Sequence, residues 1–215
     1  MILVGLSGKI AAGKSTVAKR CGELGGRVID ADALAHEVLE EAEAKAAITA
    51  RFGPGVLGAD GRVERRVLAE RVFGSTPAHA AALQDLEAIV HPRVHRRIEQ
   101  VLDEVRAGER QPGAQNTVVV LDVPLLLRAG WAQACDVVVH VECAEAVRRE
   151  RLARRHVSPE QQAAREAAWQ GTAAAEGAAF PPGIPTQKVA TVDTSGDLEY
   201  TFRQVDRLWT EILPR

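Results

Sequence analysis

Apolar positions alternate between two rhythms along this 215-residue chain. Short continuous runs end at glycine or aspartate, and longer stretches repeat with helical spacing. Residues 2–6 (ILVGL) run into glycine-rich sequence and predict a fully buried strand of the parallel-sheet kind. Residues 15–24 predict a helix stopped by Gly25 and Gly26. Arg27–Asp30 (RVID) predicts a second strand, which completes a βαβ unit.

Strand signals then vanish until about residue 107. Residues 33–50, 63–73 and 77–107 have helical patterns, separated by the turn-rich segment 53–61 (GPGVLGADG), with a break predicted at Pro92. A polar linker at 106–116 leads to three more strand signals: 117–123 (TVVVLDV), 136–141 (DVVVHV) and 188–193 (KVATVD). Helices are predicted at 144–155 and 158–170, and a flexible Ala/Gly/Pro-rich loop at 171–186. An amphipathic helix at 197–213 closes the chain. The expected fold class is α/β: about five parallel strands with helices on both faces, and a helical block inserted over the sheet's edge.

Composition narrows the function classes. Hydrophobic residues make up 46%, which suits a globular chain. Basic and acidic residues number 27 and 29, a balance of −2, so general nucleic-acid binding has no electrostatic support. The three cysteines, Cys21, Cys135 and Cys143, lack C-x-x-C spacing and fit buried thiols in a reducing compartment. The leading apolar run is too short for a signal peptide, and no stretch reaches the roughly 20 apolar residues of a membrane span. A cytoplasmic protein without membrane or nucleic-acid partners is expected, as a monomer or small homo-oligomer.

The sharpest chemical signal is Gly8-Lys9-Ile10-Ala11-Ala12-Gly13-Lys14-Ser15, which matches G-x-x-x-x-G-K-[ST] between a predicted strand and a predicted helix. Gly8, Ala11, Ala12, Gly13, Lys14, Ser15 and Thr16 are the candidate ATP-binding residues. Backbone N–H groups and the helix dipole would cradle phosphate, Lys14 would face the β and γ phosphates, and Ser15 would ligate Mg²⁺. Asp122 ends the third strand and is a second candidate for the Mg²⁺ shell. Asp30 and Asp32 lie at the end of the second strand, where an open parallel sheet faces its ligand crevice. A carboxylate there can take a proton from an attacking hydroxyl, or cap the next helix. Arg148, Arg149, Arg151, Arg154 and Arg155 share one predicted helix. They could clamp phosphate from a closing lid, or form a solvated face with Glu145 and Glu150.

Several segments extend this signal: GLSGKIAAGKST (5–16), VIDADALAHEV (28–38), ADGRVERRVLAERVF (59–73), LEAIVHP (86–92), VVVLDVPLLL (118–127), RERLARR (149–155) and VDTSG (192–196). In this order, over nearly the whole chain, they resemble the dephospho-coenzyme A kinase family. The resemblance implies transfer of the ATP γ-phosphate to the 3′-hydroxyl of dephospho-CoA, the last step of coenzyme A synthesis, with ATP and Mg²⁺ as cofactors. It implies a P-loop kinase core (1–33, 113–147, 187–215), a helical substrate domain (34–112) and a helical lid (148–186). Asp32 becomes the catalytic base, Lys14 and Arg154 its catalytic partners at the phosphates, and Asp32, His36, His91 and Leu125 the acceptor contacts.

The sequence departs from the family pattern at particular places. Lys9 and Ala11 replace loop glycines, His36 and Arg128 replace the usual arginine and glutamate, and 171–186 is long and lacks the usual arginine. The residues alone therefore leave open a kinase for another metabolite or nucleotide, and a non-catalytic nucleotide-binding paralogue.

Overall fold

A computed structural model describes residues 1–74, 76–110, 117–124, 126, 129–154 and 189–212. Among them are five strands: β1 (Ile2–Ser7), β2 (Arg27–Asp30), β3 (Val118–Asp122), β4 (Val137–Glu142) and β5 (Val189–Asp193). They pair in the order β2-β3-β1-β4-β5, every pairing parallel. The helices are α1 (Lys14–Glu23), α2 (Ala31–Val38), α3 (Ala42–Phe52), α4 (Arg65–Val72), α5 (Pro77–Glu109), α6 (Glu145–Arg154) and α7 (Leu198–Ile212). The α/β class and the parallel sheet agree with the sequence expectation. The expected helix at 158–170 and loop at 171–186 lie outside the described residues.

The central strands are continuous apolar runs because both sheet faces are covered. On one face Val4 and Leu6 of β1, Val118 and Val120 of β3, and Val139 and Val141 of β4 meet Val17, Ala18 and Cys21 of α1 and Val205 and Trp209 of α7. On the other face β1 carries Gly5, where an added Cβ would lie 2.6 Å from a Leu126 methyl and 2.7 Å from Cys135 Sγ. That close approach requires glycine in the middle of a strand. Edge strand β2 buries only Ile29, and two acidic strand ends, Asp30 and Asp122, stand in register beside each other.

The chain divides into two compact units, residues 1–30 with 102–215, and residues 31–101. The first holds the sheet, α1, α6 and α7. The second is helical and has its own core.

Two expectations for the helical unit need correction. Residues 33–50 form two helices, α2 and α3, joined by a turn in which the Glu40 and Glu41 amides bond the Glu37 and Val38 carbonyls. Val38 is fully buried, and so are Ala44 and Ile48. Six residues of uninterrupted helix would set Val38 and Ala44 roughly 120° out of phase, and the turn resets that phase. Second, Pro92 does not break α5, which runs through it. The ring costs about 3 kcal/mol inside a helix. Burial of Val90 and Val94 on either side of it, and of Ile98 beyond, offsets that cost at about 1.5–3 kcal/mol for each fully buried side chain.

Candidate active site

The site begins where β1 stops. Ser7 pairs in register with His140 of β4, so the chain leaves the sheet at its carboxyl edge. Gly8 then takes φ +150°, with the Val141 carbonyl so close that a Cβ would collide with it. The loop turns back through a bond from the Ala12 amide to the Lys9 carbonyl at 3.1 Å. Ala11 stands at φ +61°, a left-handed conformation rare for a residue with a Cβ. Gly13 comes next at φ +99° and is the N-cap of α1. Its carbonyl accepts the amides of Thr16 and Val17 at 3.0 and 3.3 Å, which starts the helix. The first turn carries no acidic residue. The N-terminal dipole thus faces a loop built to receive negative charge.

Ser15 is exposed at the first turn, while Gly8, Ala11 and Ala12 are buried. Lys14 Nζ donates to the Gly8 carbonyl at 3.0 Å, so the ammonium lies folded over the loop's own entrance. His140 is half-buried and its burial pushes the imidazole below the usual histidine range. The Lys9 and Lys14 charges act in the same direction, against an opposing contribution from Glu142. Lys9, the residue added where the family has glycine, is exposed beside this loop.

Helix α6 carries the arginine cluster. Arg148 is buried and bonds both Glu145 oxygens at 2.9 Å, and Arg149 reaches the same carboxylate at 3.1 Å. The Arg148 contact holds the Glu145 carboxyl down at about 2. Arg154 is exposed and bonds Glu150 at 2.6 Å. Arg155 lies outside the described residues.

Arg151 behaves differently from its neighbours. Its guanidinium bonds the Thr194 hydroxyl at 2.9 Å and the Thr194 carbonyl at 2.6 Å, and reaches the Ala12 carbonyl of the loop at 3.5 Å. Sequence reasoning gave no role to Thr194 beyond its place in the VDTSG segment. A threonine at a strand end has no signal of its own in one sequence. Trp131 and Trp209 are buried packing residues, and Trp169 lies outside the described residues.

Three of the four candidate acceptor residues, Asp32, His36 and His91, belong to the helical unit. Asp32 is exposed in the first turn of α2, where a carboxylate suits the helix dipole. His36 is exposed one turn later on the same face of α2. His91 is exposed on α5, beside Pro92. Leu125 and Arg128 lie outside the described residues. Asp122 is partly buried at the end of β3.

No cluster of three or more His, Cys, Asp or Glu able to hold a metal exists among the described residues. Mg²⁺ keeps several waters and takes one or two protein oxygens alongside substrate phosphates. The Ser15 hydroxyl and the Asp122 carboxylate are oxygen donors of the right kind. No helix among the described residues is long and apolar enough to cross a membrane.

A buried strand, a glycine-lined turn and a helix N-terminus on an open parallel sheet define a P-loop nucleotide-binding protein of the kinase type. Comparison with known proteins narrows this class. The dephospho-CoA kinase family profile matches residues 2–176. A dephospho-CoA kinase of Leifsonia xyli is 39% identical over 210 residues, covering 97% of this chain and 98% of that protein. One from Moorella thermoacetica is 35% identical over 213 residues, covering 99% and 92%. Among solved structures, one from Thermus thermophilus matches with a TM-score of 0.69 at 28% identity, covering 99% of this chain and 98% of that one. Dephospho-CoA kinase from Campylobacter jejuni shares the fold, with a TM-score of 0.62 at 21% identity over 98% and 97% of the two chains. The chain belongs to the dephospho-CoA kinase family: it is an ATP-dependent phosphotransferase of coenzyme A biosynthesis.

Proposed function

We propose that this chain transfers the ATP γ-phosphate to the 3′-hydroxyl of dephospho-CoA with Asp32 as the base. The observation that carries this reading is the phosphate loop itself: Gly8, Ala11 and Gly13 at positive φ ahead of the α1 N-terminus. ATP supplies the phosphoryl group and Mg²⁺ screens its charge when both are bound. Gly8, Ala11, Ala12, Gly13, Lys14, Ser15 and Thr16 form the nucleotide cradle. Lys14 exchanges its bond to the Gly8 carbonyl for phosphate oxygens and stabilises the charge that develops on transfer. Ser15 and Asp122 hold the Mg²⁺ shell. Asp32 accepts the acceptor hydroxyl's proton, and Arg154 leaves Glu150 to meet the phosphates.

His36, His91 and Leu125 contact the acceptor. The division of labour runs by sequence segment: 1–33, 113–147 and 187–215 bind nucleotide, 34–112 binds acceptor, and 148–186 closes as the lid. The enzyme works in the cytoplasm as a monomer or small homo-oligomer, without nucleic-acid or membrane partners.

The experiment is an ADP-release assay with dephospho-CoA against a panel of nucleosides, on the wild type and on Asp32→Asn. Dephospho-CoA is the acceptor that turns over. The substitution keeps the side chain's shape and removes the base, so kcat falls by about 10²–10⁴-fold while the KM for ATP holds. Equal loss of ATP affinity and rate would instead make Asp32 a metal or structural residue.

A further inference from the structure

The phosphate loop is braced from outside by residues the transfer chemistry does not use. Thr194 is 1% exposed, directly after β5. Its hydroxyl donates to the Ala12 carbonyl at 2.6 Å, and the Glu142 carbonyl at the end of β4 lies 3.2 Å away. One hydroxyl proton serves the nearer acceptor, so the Ala12 bond is the strong one. The oxygen's acceptor side is filled by Arg151 Nη1 at 2.9 Å. A cation donating into a hydroxyl polarises it and strengthens the bond it donates onward.

Thr194 itself is fixed. Its amide bonds the Glu142 carbonyl at 2.8 Å, and its carbonyl accepts Arg151 Nη2 at 2.6 Å. Its side chain also packs against Gly13, where an added Cβ would meet Thr194 Oγ1 at 3.0 Å and two of its carbons at 3.2 Å. Glycine at 13 thus meets two demands, the left-handed φ and the space Thr194 fills.

The consequence lies in the Ala12–Gly13 peptide. A trans peptide is planar, with C=O and N–H pointing oppositely. A carbonyl held toward Thr194 sets the Gly13 N–H facing away from it. The alternative orientation, with the Ala12 carbonyl turned toward the nucleotide, would set a partial negative charge against phosphate. Gly13, at φ +99°, has no intrinsic preference strong enough to choose between these orientations.

We infer that Arg151 and Thr194 are positioning residues for nucleotide binding: together they lock the Ala12–Gly13 peptide so that the loop presents N–H rather than C=O to the phosphates. The inference rests on the reading of 8–16 as the ATP site. It also separates two arginines of one helix: Arg151 bonds the loop's support, whereas Arg154 is exposed and bonds its neighbour Glu150.

Steady-state kinetics with ATP and dephospho-CoA test it in Thr194→Val, Thr194→Ser and Arg151→Gln. Valine keeps the shape of threonine without the hydroxyl. Thr194→Val raises the KM for ATP about tenfold, the scale of one lost charge-assisted bond, and leaves the KM for dephospho-CoA within about twofold. Thr194→Ser restores the ATP constant, because the hydroxyl alone carries the effect. Arg151→Gln raises the ATP constant less, and the Arg151→Gln, Thr194→Val pair costs less than the sum of the two single changes, since both residues act on the Ala12 carbonyl. Circular dichroism checks folding; if Thr194→Val does not fold, Thr194→Ser and Arg151→Gln carry the test. An unchanged ATP constant in Arg151→Gln with no loss in Thr194→Val overturns the inference, as does an equal rise in both substrates' constants. Lys14→Ala is measured alongside. If it keeps turnover, the ATP-site reading fails and the inference with it. If it is inactive while Thr194→Val is normal, the brace alone fails.

Discussion

The two groups of candidate residues are held in place by different means. In the sheet-bearing unit Gly8, Ala11 and Ala12 are buried, and the loop backbone is fixed by bonds within the loop, into α1 and from Thr194. In the helical unit Asp32, His36 and His91 are exposed side chains on helix surfaces, positioned by helical phase. In the proposed function phosphate is bound by backbone N–H groups, so its site must be rigid, and the sequence has to specify glycine at set intervals. In the same proposal the acceptor is bound by side chains, so its site would tolerate substitution, and His36 is the proposed contact where the family has arginine. The departures obey the same logic. Those in the loop leave the minimal motif intact, whereas His36 changes the charge of a proposed contact.

The strongest way to break this comparison is Lys14→Ala. The lysine is half-buried over the loop and is no part of the apolar core. Turnover should fall roughly 10³-fold with the thermal unfolding midpoint unchanged, since the charge acts on the transferring phosphoryl group. Single-turnover ADP formation and a melting curve decide it. Near-normal turnover would mean that rigidity of the loop serves packing and not catalysis.

The exposed side of the comparison is sharpened by His36→Arg. Arginine carries a permanent charge and a forked set of donors that suit phosphate, whereas an imidazole has neither. It can be placed on this exposed helical position without repacking. The KM for dephospho-CoA should drop about tenfold, the scale of one charge-assisted bond, with the ATP constant unchanged. An acceptor constant that does not move removes His36 from the site.

The sheet was the most legible part of the chain. Continuous Val-rich runs such as 118–121 suit the central strands of a covered parallel sheet, and G-x-x-x-x-G-K-S marks the loop and helix after β1. The α2–α3 turn was hidden because both helices are alanine-rich and no glycine or proline marks the join. Pro92 misled in the other direction, because tertiary burial on either side overrode a local breaker. Among the candidate site residues, Lys14 and Asp32 are proposed from spacing and resemblance. Thr194 could not be: it lies 182 positions from the carbonyl it holds, and only the folded sheet brings the end of β5 beside the loop. Arg151 was one of five arginines on a single predicted helix, and only the contact to Thr194 distinguishes it.

The smallest expected effect tests how much of the loop's rigidity is stored as strain. Ala11 occupies φ +61°, where the family has glycine, and its side chain is only 5% exposed. Holding a non-glycine residue there costs about 1–2 kcal/mol. Ala11→Gly removes that cost, but it also gives up burial of a methyl group, about 0.8 kcal/mol, and frees the unfolded chain by about 0.4–1 kcal/mol. These contributions oppose one another, so stability should change by less than about 1 kcal/mol in either direction. Ala11→Val has no such balance: a β-branched side chain is a true outlier at this φ and should destabilise by about 2 kcal/mol or more. Urea unfolding of both variants reads the difference directly. If Ala11→Gly is neutral and Ala11→Val is not, the left-handed turn is tolerated because burial compensates for it. If valine is accepted without loss, position 11 does not hold that conformation in solution, and the contrast between a rigid loop and a permissive helical surface loses its sharpest point.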